Sequence, residues 1–122
     1  MLKRMGLAVA LGAMGTVPAF ADDSCQAPPV PPPIDGATAT RDQVVAAVNA
    51  AKSYIAASDA YQQCIGDYIA AQKADAAKNK VPFDPAIEQA ESAKVDANQA
   101  SKQRVGDAVN AAVGAYKKAH PN

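Results

Sequence analysis

Tyr54, Tyr61 and Tyr68 recur at seven-residue intervals, and Cys64 lies between the last two. At about 3.6 residues per turn, a repeat of seven keeps side chains on one face of a helix. The stretch therefore predicts a tyrosine stripe with a cysteine one turn from both Tyr61 and Tyr68. The only other cysteine, Cys25, heads a proline-rich arm, Gln26-Ala27-Pro28-Pro29-Val30-Pro31-Pro32-Pro33. A fold that pairs the cysteines must lay this arm against that face.

The residues around the stripe set the helix boundaries. Thr40-Arg41-Asp42-Gln43 is a capping box, in which the threonine hydroxyl accepts from the amide of Gln43 and the glutamine side chain reaches back. From there Val44, Val48, Ala51, Ile55, Ser58, Gln62, Ile65 and Ile69 alternate spacings of four and three, a second seam beside the tyrosines. A first helix is expected over residues 41–79. Val81-Pro82-Phe83-Asp84-Pro85 breaks it, with Asp84 as N-cap and Pro85 at the first helical position of a second helix over residues 85–118. Ile87, Ala90, Ala97, Ser101, Val105, Ala108, Ala112 and Tyr116 are its expected inward positions, and residues 119–122 form a tail.

So short a connection forces an antiparallel hairpin. Its expected register places Ile55 opposite the turn from Val109 to Val113, and Ile65 and Ile69 opposite Ala97 and Ala100. Gln62, Gln72, Lys94 and Asn98 make the middle of the seam polar, as in a layer that fixes register.

Residues 22–39 read as an extended arm. Its prolines fix φ and remove backbone donors, which favours polyproline II, and Asp35-Gly36 gives a turn before the helix. Helix from Thr40 to Cys64 spans about 36 Å, and polyproline II from Cys25 to Gly36 about 34 Å. An arm doubling back along the first helix thus brings Cys25 to Cys64 over the arm-docking face of Tyr54, Tyr61 and Tyr68, with Pro28, Pro29, Pro31 and Pro32 meeting Tyr54 and Tyr61. The expected fold class is all-α: an antiparallel two-helix hairpin with an N-terminal polyproline II arm disulfide-linked to helix one.

The chain opens with basic Met1-Leu2-Lys3-Arg4, an apolar run from Met5 to Val17, and Ala19-Phe20-Ala21. This is the pattern of a signal peptide over residues 1–21, cleaved between Ala21 and Asp22, and it predicts a periplasmic or secreted protein. The run is shorter than the about 20 residues of a membrane span and ends at Pro18, so no stable membrane insertion is expected after cleavage. Cys25 follows Asp22-Asp23-Ser24, which lacks the small apolar motif of a lipid-modified cysteine. Loss of Lys3 and Arg4 tips an even balance of 12 basic and 12 acidic side chains slightly negative. With no basic cluster, nucleic acid and anionic membrane are poor partners. Alanine is about a quarter of the exported chain and there is no Trp, so the core must be thin and a covalent staple valuable. Oxidising compartments supply one.

Over residues 25–68 the chain resembles the pancreatic-polypeptide type of miniprotein, in which a polyproline II segment lies antiparallel on a helix and prolines interdigitate with heptad-spaced tyrosines. The resemblance is one of packing and implies no hormone activity. The chain departs from it by its cysteines and its second long helix. The order of Cys25, the proline run, Asp35-Gly36-Ala37-Thr38-Ala39-Thr40 and Tyr61-Gln62-Gln63-Cys64 also looks like small bacterial secreted proteins with a Cys/Pro-rich arm and helical hairpin, a likeness that implies no function.

Catalysis finds little purchase. His120 is the one histidine and sits beside Pro121 near a terminus. The sequence offers no Ser-His-Asp set, no glycine-rich phosphate loop and no cysteine set for zinc, so no enzyme, cofactor or metal is expected. The favoured reading is a structural or interaction protein, meeting a protein partner or itself through helix faces. Ala93, Ala97 and Ala100, in a strip running from Ala86 to Ala115, form the candidate partner face. The alternative is thiol-redox or small-ligand binding through Cys25 and Cys64 or through the polar seam.

Overall fold

The computed structural model describes residues 24–122; the signal-like segment and the expected cleavage position at Ala21 and Asp22 lie outside them. Among the described residues the protein is all-helical: α1, Arg41–Lys78, and α2, Pro85–Ala119, form a hairpin, and no strand occurs. Residues 24–39 precede α1 without helix, apart from a turn at 36–38.

Local chemistry sets the ends of both helices. The Thr40 hydroxyl accepts from Gln43 N at 3.2 Å, and Thr40 N donates to Gln43 Oε1 at 2.9 Å, completing the capping box. At the other end Lys80 N donates to Ala77 O and Val81 N to Ala76 O, with Lys80 at φ 54°. This is a Schellman ending in which lysine takes the left-handed position usually given to glycine. Asp84 then accepts from Ala86 N at 2.9 Å, and Pro85 begins α2.

The inward face of α1 follows the seam: Val44, Ala51, Ser58 and Ile65 are buried, and Val48, Ile55, Gln62 and Ile69 are partly so. On α2 the sequence expectation is only half right. Ser101, Val105 and Ala112 are buried, but Ala90, Ala97 and Ala108 are exposed while Glu91 and Asn98 lie inside. At Ala90, Ala97 and Ala108 the inner position belongs to the next residue, Glu91, Asn98 and Val109, so the expected face lies one residue off there. The actual face runs Ile87, Glu91, Lys94, Asn98, Ser101, Val105 and Ala112, a four-and-three spacing that admits a carboxylate and an amide. Glu91 is paired there with Lys94 at 3.0 Å.

The register also differs from expectation. Tyr54 meets Ser101, Ser58 and Gln62 both meet Asn98, and Lys73 meets Glu88. Ile55 therefore lies level with the Val105 region rather than with Val109 to Val113. The inference assumed that the helices start level at the connection. Instead the connection folds back along the end of α1, with Lys73 Nζ 5.5 Å from the centre of the Phe83 ring, and α2 begins about a turn down the hairpin.

Candidate functional site

Cys25 and Cys64 form a disulfide with 5.8 Å between Cα atoms, closing 39 positions of sequence. The start of the arm is thereby held at the middle of α1. Its other end is fixed by the turn: Ala37 N donates to Asp35 Oδ1 at 3.0 Å and Ala39 N to Asp35 O at 3.0 Å. Gly36, inside this turn, is buried against α2. A Cβ built there would lie 1.9 Å from the carbonyl oxygen of Ala112, so the position requires glycine for close approach. The turn does not use positive φ, which among the described residues no glycine has.

Between these two fixings the arm alternates. Cys25, Pro28, Pro31 and Ile34 are partly buried, whereas Pro29, Pro32 and Pro33 are exposed. Of the four prolines expected on the tyrosines, Pro29 and Pro32 thus point to solvent.

The tyrosine stripe divides too. Tyr54 is buried in a cluster with Ala51 and Val105, against which Val109 packs, and its hydroxyl donates to Ser101 Oγ at 2.8 Å. Tyr54, expected to face the arm, thus also takes part in the interface with α2. Ala51 and Ser58, three and four residues away, share the seam, and a ring is long enough to swing onto it. Tyr61 is buried and Tyr68 partly so.

Around Asn98 the polar layer is filled from within the hairpin. Asn98 Nδ2 donates to the fully buried Ser58 at 3.1 Å, and Gln62 Nε2 donates to Asn98 Oδ1 at 2.9 Å and to Gln99 Oε1 at 3.2 Å. Lys102 pairs with Asp59 beside it. Such mutual satisfaction is what a register layer needs, and it leaves the seam little to offer a ligand.

A concave feature lies elsewhere. Val30 to Asp35 of the arm, residues 43–51 of α1 and residues 101–112 of α2 wall a groove of about 870 Å³. Alanines Ala46, Ala47, Ala50 and Ala108 line it, with Val105 and Val109. Its size falls within the about 300–1,000 Å³ usual for small-molecule sites. Hydrophobic periodicity gave no sign of it, because the groove is a space that alanine leaves unfilled. The usable clue was the run of small residues at 46, 47, 50 and 51 facing an arm stiffened by proline.

The remaining candidates are apart from it. Ala93, Ala97 and Ala100 are exposed on α2. His120, with its ring stacked on Tyr116, is exposed at the end of α2. Among the described residues no three His, Cys, Asp or Glu side chains gather as a metal site, and no helix is long and apolar enough to cross a membrane. No protein family, curated protein or solved structure matches the chain.

Proposed function

We propose that the protein is an exported, non-catalytic binding protein whose arm and hairpin frame a standing apolar groove. The observation that carries this reading is the groove itself, walled by all three segments and left open by alanine. In this reading the arm is a polyproline II strut. The three-residue period of its partly buried positions, Cys25, Pro28, Pro31 and Ile34, matches the three residues per turn of that helix. The signal-like first 21 residues and the disulfide are both in keeping with a periplasmic or extracellular setting. This reading gives the two cysteines, joined in the disulfide, the work of a clamp.

An uncharged apolar dye such as phenylnaphthylamine tests this. It should bind saturably at one site per chain, and Ala50→Trp, which places an indole in the groove from an exposed position on α1, should abolish binding without loss of helical circular dichroism. Equal binding to both proteins, or none to either, refutes the reading.

A further inference from the structure

The polar side chains around the groove select its occupant. Asp35 accepts from Ala37 N, the Thr38 hydroxyl donates to Asp35 O, Gln43 accepts from Thr40 N, and Ser101 accepts from Tyr54. Each of these groups is engaged within the chain. Arg104 is the exception: this exposed lining residue makes no hydrogen bond or ion pair among the described residues. The wall is thus mainly apolar, with the Asp35 carboxylate toward the Ala112 end and one unengaged cation, Arg104, near the Ser101 end.

Dimensions narrow the choice further. From Ser101 to Ala112 the α2 wall is about 16 Å long. A single extended alkyl chain can lie along a wall of that length with its surface against alanine and valine. A peptide would have to desolvate its amides against the same apolar side chains, and unpaired buried amides are costly. An alkyl chain carries no such cost, and the free guanidinium supplies a counter-charge for one terminal anion.

We propose that the groove binds a monomeric single-chain amphiphile with an anionic head, its chain along Ala47, Ala50, Val105 and Val109 and its head on Arg104. This rests on the groove reading above and adds the class of ligand to it. The guanidinium gives head-group selectivity; the alanine floor gives chain affinity.

Titration of the oxidised protein with dodecanoate and with dodecanol, below aggregation and followed by amide shifts, tests the assignment. Dodecanoate should bind one per chain, shift the amides of Ala47, Val105 and Val109, and bind about tenfold more tightly than dodecanol. Arg104→Gln should erase that advantage and leave dodecanol binding unchanged, while Arg104→Lys should keep most of it. Equal dodecanoate affinity in wild type and Arg104→Gln overturns the head-group assignment, and if the dye still binds in the groove the binding reading survives. Shifts centred on Ala93, Ala97 and Ala100, or capture by phosphatidylglycerol vesicles without binding of monomeric dodecanoate, overturn the proposal by placing the site on another surface or the ligand in a bilayer. Failure of dye, dodecanol and dodecanoate alike overturns both readings together.

Discussion

The two halves of the hairpin are held in different ways. In the half nearer the connection, α1 and α2 are joined directly by polar side chains: the Ser58, Asn98, Gln62 and Gln99 ladder, Lys102 with Asp59, and Lys73 with Glu88. In the far half, beyond Tyr54 and Ser101, the facing residues are mainly alanine and valine, and the arm enters as a third wall with Gly36 against Ala112. Two alanine-lined helices bury too little area to hold themselves together, so the far half depends on the arm and, through it, on the disulfide. The near half does not. The groove lies in the half that the arm completes.

The largest break in this contrast should come from Cys64→Ser. Closing a loop of 39 positions is worth about 4 kcal/mol in the polymer-entropy treatment, an upper figure for most real proteins. The variant should melt much lower, and limited proteolysis should cut the arm first. An unchanged melt would show that the arm contributes nothing to the far half.

Gly36→Ala attacks the same half from the other end of the arm. Its methyl cannot coexist with the Ala112 carbonyl, and relief by local displacement should cost about 1–3 kcal/mol, measured by denaturant titration. Asn98→Ala is the matching probe of the near half. It strips a partner from buried Ser58 and from Gln62, for a similar loss of about 1–3 kcal/mol. Dye binding separates the pair: Gly36→Ala should weaken it, and Asn98→Ala should not.

The smallest effect should be a gain. Lys80 occupies a left-handed conformation that disfavours side chains, and Lys80→Gly should stabilise the protein by up to about 1 kcal/mol. A loss would mean that the lysine side chain contributes more than its backbone costs.

What could be read from the sequence follows the same division. Caps at Thr40 and Asp84 and the α1 seam were legible because hydrogen-bonding chemistry and aliphatic spacing are local. The cysteine pairing was legible because two lengths matched. The inner face of α2 was not, since Glu91 and Asn98 are buried only by virtue of partners on other residues, and alanine looks equally at home inside or out. The end of α1 at Lys80 lacked its usual glycine. Tyr54 kept the heptad spacing of its stripe yet packs on α2, and no spacing rule foretells which way a long side chain leans. The groove was hidden for the opposite reason: it is formed by what the side chains do not fill.

Amide hydrogen exchange in the oxidised and the reduced protein tests the central claim most directly. Opening free energy varies along a chain with the contacts that protect each segment. If the clamped arm sustains the far half, reduction should speed exchange selectively at residues 41–51 and 105–116 and leave residues 58–75 and 88–101 nearly as protected as before. Uniform loss across both halves, or no change in the far half, would contradict it.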